Sequence, residues 1–330
     1  MMDRRLNLAA VIGAASLSGC AGVQSVLAPQ GPAGERIAVL AWVLFGTGTA
    51  ILFAVLLAIG IAIGGSSSMR ARLGQVRAVA IFGIATPAVV LTALLIYGVW
   101  LTQASVPTGE GGPPVRIEVV GEQWWWRVAY LAPNGRKVVS ANEIRIPVNR
   151  AVQFTLTSTD VIHSFWVPTL GGKVDMIPGR TTHLRLVANR PGVFRGQCAE
   201  FCGGPHALMA LEVVALPQPE YEAWLAAQGE PAAEPTTEAD KLGKALFLSS
   251  GCGACHAIRG TPASGSIGPD LTHLGSRRML AAGWRPMSRE NIARFIMSNQ
   301  QVKPGNRMPP YAIFAPTEME AIAAYLQGLR

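Results

Sequence analysis

Two stretches of this chain carry no charge, Ile37 to Ile63 and Ala78 to Leu101. A helix rising 1.5 Å per residue needs roughly 20 apolar residues to cross ~30 Å of hydrocarbon, and each run exceeds that. Uninterrupted apolar runs of this length are rare in the cores of soluble folds. The sequence therefore predicts a two-helix transmembrane hairpin with spans 37–63 and 78–101. The short connection holds Arg70, Arg72 and Arg77 and no acid. Positive charge in a short loop favours the cytoplasmic side, which places both chain ends outside. Pro87 lies inside the second run and is expected to kink it.

The start of the chain agrees with that topology. Arg4 and Arg5 precede an apolar run, Leu8 to Leu17, which ends in the small-residue site "LSGC". Residues 1–19 read as a lipoprotein-type signal peptide that leaves Cys20 as a lipid-bearing mature terminus. An ordinary signal peptide with an incidental cysteine is the alternative. The spans, with the segment ahead of them, occupy 20–105.

After "PTGEGGPP" the pattern becomes short and β-branched. "VRIEVVGEQWWWRVAYL", "NEIRIPV", "AVQFTLTS" and "TTHLRLVA" are separated by turn residues and predict an antiparallel sandwich or barrel over 106–227, closed by a short helix at "EYEAWLAA". Residues 228–237, "QGEPAAEPTT", read as a flexible linker. Residues 238–330 read as helical and loop-rich. The net charge of +8 is split: +4 over residues 1–105, zero over 106–230, −1 from Glu234 and +5 over 236–330. No basic stripe interleaved with aromatics appears, which argues against nucleic acid as a partner.

Soft ligands crowd one loop. Cys198, Glu200, Cys202, His206 and Met209 fall within "GQCAEFCGGPHALM", and His163 ends a predicted strand 35 residues earlier. A Cys198–Cys202 disulfide suits an extracytoplasmic chain but leaves His206 and Met209 unexplained. Zinc uses Cys and His but not ordinarily Met. Two thiolates, two imidazoles and a thioether suit copper. Cysteines four apart can bridge two ions, with His163 and His206 capping one each, and Met209 and the Glu200 carbonyl as weak ligands.

A second motif is "CGACH", Cys252 to His256, the attachment pattern of a c-type haem, in which His256 is the proximal iron ligand. Downstream, Met308 in "KPGNRMPPY" stands out as the sixth ligand over Met279, Met287, Met297 and His273, because it sits in a Pro/Gly-rich loop.

"TSTDVIHSFWVPTLGGKVDMIPGR", "RPGVFRGQCAEFCGGPHALM" and "GEQWWWRVAY", behind a two-span hairpin, resemble the binuclear CuA subunit of cytochrome c oxidase, subunit II, over residues 37–225. The segment with "CGACH", "IGPDL" and "NRMPP" resembles a class I cytochrome c, and the fusion resembles the caa arrangement. The resemblance implies a membrane-anchored chain with a cupredoxin-like β-barrel and an all-α cytochrome domain. It implies CuA ligated by His163, Cys198, Glu200, Cys202, His206 and Met209. It also implies magnesium shared with subunit I through the Glu200 carboxylate, electron entrance at Trp124, and a Pro269 carbonyl holding His256. Asp160 and Asp175 match acidic positions near a cytochrome docking surface. The implied function is electron input to a proton-pumping oxidase. Electrons pass from an outside donor (cytochrome c or a quinol–cytochrome c complex) to the haem, to CuA, and on to subunit I among the other oxidase membrane subunits. The implied location is the bacterial cytoplasmic membrane, with both redox domains on the periplasmic side. A nitric oxide reductase subunit, or a membrane-tethered electron carrier or copper-delivery protein, are alternatives.

The histidine count limits the chain. His163, His206 and His256 are committed, only His183 and His273 remain, and neither apolar run contains one. An oxygen-reducing haem–copper site needs several histidines, so it must lie on a partner chain. The sequence also departs from the family, because many subunit II chains carry a glutamate ahead of the second-span proline, where this one has Ala80.

Overall fold

A computed structural model describes residues 22–103, 109–110, 112–132 and 135–330. The signal-peptide and Cys20 expectations lie outside the described residues. Helix α1 spans Pro32–Gly64, and α2, Ser67–Leu73, turns the chain. Helix α3, Val76–Ala80, runs through a π turn at Ile81–Ala85 into α4, Thr86–Gln103. The disturbance expected of Pro87 is this wide turn, where the Thr86 N–H bonds the Ile81 carbonyl. Proline lacks an N–H and its ring crowds the preceding turn, and a π turn absorbs that misfit. The helices outrun the uncharged stretches because Glu35, Arg36 and Arg77 fit in their end turns. Both are long and apolar enough to cross a membrane. Large apolar side chains such as Phe53, Leu57 and Phe82 point outward, uncovered by the rest of the chain. The start of α1 is tied to the β domain. Gln30 N–H donates to the Thr169 carbonyl (2.7 Å), and Asn189 N–H to the Gln30 carbonyl (2.8 Å).

The β domain is two packed five-stranded sheets. One has the order β3 (Lys137–Ala141), β2 (Trp125–Leu131), β1 (Val115–Glu122), β5 (Val152–Ser158), β8 (Thr182–Leu186). The other has the order β4 (Glu143–Pro147), β10 (Ala210–Leu216), β9 (Gly192–Cys198), β6 (His163–Trp166), β7 (Val174–Met176). The expectation of purely antiparallel sheets is corrected, since β1–β5 and β10–β4 pair parallel. The chain returns to each first strand by way of other strands, so the absence of crossover helices did not forbid parallel neighbours. Alternate residues of β1 and β5 point inward, and Ile117, Val119, Phe154 and Leu156 join Trp126, Tyr130 and Phe165 in the core. Burying each such side chain stabilises the fold by roughly 1.5–3 kcal/mol.

Helix α5, Gln218–Gln228, leaves this domain. The C-terminal domain packs α6 (Glu238–Ser249), α7 (Arg289–Val302) and α8 (Pro316–Gly328) around Phe247, Ile292, Ile322, Tyr325 and Leu326. Thr237 and Ser288 cap the first two helices with their side-chain oxygens. It is not wholly helical, because β11 (Met279–Leu280) and β12 (Arg285–Pro286) form a small hairpin.

The linker differs from its expectation as a free tether. Its Glu230 carbonyl accepts from His273 Nε2 (3.1 Å), Ala232 N–H donates to the Arg259 carbonyl (2.9 Å), and the Arg259 guanidinium reaches the carbonyls of Gln228 and Glu230. Partners distant in sequence override the flexibility that Pro/Ala/Glu composition suggests. The two domains consequently lie against each other. Arg278 N–H donates to the Glu143 carboxylate (2.7 Å), Arg145 to the Ser276 carbonyl (3.1 Å), and Ala210 N–H to the Ala282 carbonyl (3.0 Å).

Candidate metal and haem sites

Strand β6 delivers His163 and strand β9 delivers Cys198 side by side, since Phe165 pairs with Cys198 across the sheet. The loop from β9 to β10 then folds back on itself. Its short 3-10 turn, His206–Leu208, sets His206 and Met209 beneath Cys202. The Cys198 and Cys202 sulfurs are 3.8 Å apart, too far for a disulfide bond, and both are free thiols. The Cys198 Sγ lies 3.8 Å from His163 Nδ1 and 3.2 Å from the Glu200 carbonyl oxygen. The Cys202 Sγ lies 3.3 Å from His206 Nδ1 and 3.9 Å from Met209 Sδ. All six sequence-nominated residues therefore meet, Glu200 through its main chain. Among the described residues, His163, Cys198 and Cys202 form the group whose ligand atoms converge within 4.8 Å of one another, and all three are buried.

The electrostatics favour a thiolate here. The neighbouring Cys202 holds the Cys198 thiol down at about 4, while its own pKa moves up. Burial opposes a charge on His163, but hydrogen bonds with Cys198 and Asp160 outweigh it and raise its pKa. Asp160 is the residue that sequence reasoning assigned only to a docking surface. Its Oδ1 accepts from His163 Nε2 at 2.9 Å, and its carboxylate also accepts from the Gln123 and Val161 N–H groups, each at 2.7 Å. The D-x-x-H spacing carried that signal. Asp175 and His183 stay exposed, away from the cluster.

A cleft in the C-terminal domain is lined by Cys252, Cys255, His256, Pro269 and Met308. His256 Nδ1 donates to the Pro269 carbonyl (2.8 Å), which leaves Nε2 for a metal. Burial lowers the His256 pKa and so keeps the ring neutral. Arg277, unnoticed in the sequence, lines the same cleft with a buried Nε that has no partner. An apolar cleft with two thiols, an oriented imidazole, a thioether and an orphaned guanidinium nitrogen fits a haem with acidic substituents. Met279 lines the cleft as well, whereas Met287 and Met297 do not. His273 is turned away, holding the linker.

Trp124 stands between the two sites. Its Nε1 donates to the Cys202 carbonyl at 2.9 Å, and it lines the cleft. Trp126 is core, against Phe165, and Trp125 lies under the Arg127 guanidinium.

Residues 131–216 match the family model "Cytochrome C oxidase subunit II, periplasmic domain", and residues 241–330 match the model "Cytochrome c". Cytochrome c oxidase subunit 2 of Alkalihalophilus pseudofirmus is 39% identical over 243 residues, covering 73% of this chain and 69% of that protein. The protein of the same name from Bacillus sp. PS3 is 33% identical over 228 residues, or 66% of this chain and 62% of that one. The periplasmic domain of subunit II of cytochrome oxidase from Bradyrhizobium japonicum, a solved structure, is 32% identical over 36% of this chain and 95% of its own, with a TM-score of 0.34. With a relative this similar over most of both chains, and with the C-terminal domain matched separately, the chain belongs to the cytochrome c oxidase subunit 2 family and carries a cytochrome c domain at its C-terminal end.

Proposed function

We propose that this chain is the electron-input subunit of a proton-pumping haem–copper oxidase, taking electrons from an extracytoplasmic donor for a subunit I that reduces oxygen. The observation that carries the reading is the convergence of four ligand-type groups on the Cys198–Cys202 pair, with Trp124 bonded to Cys202 and lining the cleft that holds Cys252, Cys255 and His256. Cys198, Cys202, His163 and His206 would hold a binuclear copper centre, with Met209 and the Glu200 carbonyl as weaker ligands. Cys252 and Cys255 would attach a c-type haem, His256 and Met308 would ligate its iron, and the Arg277 Nε would meet a haem carboxylate. Bound there, the two groups would supply one-electron chemistry, with the two cysteine sulfurs spreading the charge and so keeping reorganisation small.

The buried sulfurs exclude water from the copper ligands. Asp160 fixes the His163 ring so that Nδ1 points inward. Trp124 provides the contact between copper loop and cleft. The half-buried Glu200 carboxylate would help hold a magnesium ion shared with subunit I. The hairpin anchors the chain in the bacterial cytoplasmic membrane, with the Arg70–Arg72 turn in the cytoplasm and both other domains in the periplasm. A signal peptide removed ahead of a lipidated Cys20 fits that topology.

Purification in mild detergent tests the proposal. The chain is expected to co-purify with a multi-span partner, and the complex to consume oxygen when given reduced cytochrome. A chain that purifies alone, fully loaded and without a partner, would instead be a tethered carrier or copper-delivery protein.

A further inference from the structure

Trp124 lies in the turn between β1 and β2, where a side chain would ordinarily face solvent, yet it is only 8% exposed. Its cover comes from the C-terminal domain. A Cβ built on Gly305 would lie 3.4 Å from the indole ring, and one built on Gly203 of the copper loop would lie 3.1 Å from it. Both glycines have positive φ, +83° and +112°, which lets bare main chain lie flat against the ring. The indole is thus held between the loop that carries Met308 and the loop that carries Cys202. Beside it, the Lys303 side chain, 4% exposed, crosses the domain boundary and donates from Nζ to the Trp124 main-chain carbonyl at 2.7 Å.

From this geometry we infer that Lys303 is a positioning residue that seats the Met308 loop on Trp124, reserving that entrance for this chain's own haem domain and closing it to any other cytochrome. The inference rests on the electron-transfer reading above.

A lysine buried with a single carbonyl partner is an unfavourable way to fill a core, because an ammonium prefers water. Burial pushes its pKa down to about 7. Such a residue is explained by where it holds the chain. Other cross-domain bonds lie elsewhere: Arg127 to the Ser266 carbonyl (2.9 Å), Arg145 to Ser276, Arg278 to Glu143 and Glu212, and Ala210 N–H to the Ala282 carbonyl (3.0 Å). They keep the domains together when Lys303 is changed. Lys303 holds the loop to the Trp124 main chain and Gly305 lies against the indole, and Met308 follows three residues after Gly305.

The experiment uses the fully loaded complex with Lys303→Met and Lys303→Arg, each checked for unchanged absorption spectra of both centres. In wild type, an amine-reactive label should modify Lys303 at least about tenfold more slowly than the half-exposed Lys241, as expected for a site reached only by local opening. Hydrogen exchange over 303–308 and 122–126 should quicken in Lys303→Met while the segment around Glu143 is unchanged. One-electron transfer from flash-reduced haem to copper should slow severalfold, because the contact between Trp124 and the Met308 loop is loosened. Lys303→Arg should recover part of it. Equal labelling of Lys303 and Lys241, or unchanged exchange and transfer in Lys303→Met, overturns the inference. If wild type shows no haem-to-copper transfer, the electron-transfer reading fails, and labelling and exchange alone decide the seating role.

Discussion

The Asp160 Oδ1 lies 2.9 Å from His163 Nε2, so the Nδ1 of that imidazole faces the Cys198 sulfur. The ring is held from behind by a carboxylate that is itself fixed by two backbone N–H groups. Groups that orient a metal-binding imidazole in this way affect metal affinity by roughly 10–100-fold. Asp160→Ala is expected to weaken copper retention by that order, measured by chelator competition. Asp160→Asn keeps an acceptor and should lose much less. Equal retention in wild type and Asp160→Ala would assign Asp160 to the loop alone.

The sulfurs of Cys198 and Cys202 differ in what they hold. Cys198 touches His163 and the Glu200 carbonyl, and Cys202 touches His206 and Met209. If both bridge two coppers, Cys198→Ser and Cys202→Ser should each abolish the delocalised mixed-valence signal in electron paramagnetic resonance. Metal analysis of wild type should give two coppers per chain. A single copper, or zinc, would remove the binuclear assignment.

Met308 is clamped at both of its main-chain groups. Its N–H bonds Asn306 Oδ1 and its carbonyl accepts from Gln300 Nε2, each at 2.9 Å. Met308→Ala should remove the methionine-to-iron absorption band. It should lower the haem potential by on the order of 100 mV, within the ~0.8 V that axial ligands command. Met279 also lines the cleft, and Met279→Ala should leave the band in place. The reverse pattern would make Met279 the ligand.

Much of this was legible before any coordinates. The spans declare themselves by length without charge. Five of the copper-site residues sit in one short loop, so local sequence already places them together, and His163 needed only one strand pairing. The haem motif is equally local. The rest depends on segments distant in sequence meeting in space. Arg277 and Lys303 look like ordinary surface cations, and only the packed chain reveals both as buried, Arg277 with its Nε unpartnered beside a cleft and Lys303 under the Trp124 turn. The parallel pairs β1–β5 and β10–β4 join strands far apart in sequence, and no local periodicity encodes them. The linker misled for the same reason, since its partners Arg259 and His273 lie beyond it.

That linker leads to the last expectation. Arg259 pairs with Asp270 (3.1 Å) while its guanidinium gathers the carbonyls of Gln228 and Glu230. Arg259→Ala frees the Gln228 carbonyl and leaves the Glu230 carbonyl with His273 Nε2 alone, without touching the domain interface. The segment 228–237 should then be cleaved by a protease far faster than in wild type, because cleavage follows local opening. Even a freed linker of this length keeps the domains at an effective concentration on the order of millimolar, so transfer in the uncut variant should stay first order and independent of protein concentration. Ionic strength should matter little to that step. Arg278–Glu212 is a partly exposed ion pair across the boundary, with side-chain exposures of 54% and 16%. Screening an exposed pair of this kind removes ~0–1 kcal/mol. The bonds from Lys303, Arg127 and Arg145 end on carbonyls rather than on opposite charges. Raising salt should therefore change the haem-to-copper rate by less than about fivefold, the equivalent of ~1 kcal/mol. Delivery from an external donor to a domain carrying net +5 over residues 236–330 should fall or rise steeply with salt. Stopped-flow and flash measurements across a salt series separate the two steps. A haem-to-copper rate that scales with protein concentration would show that electrons reach the copper from another molecule.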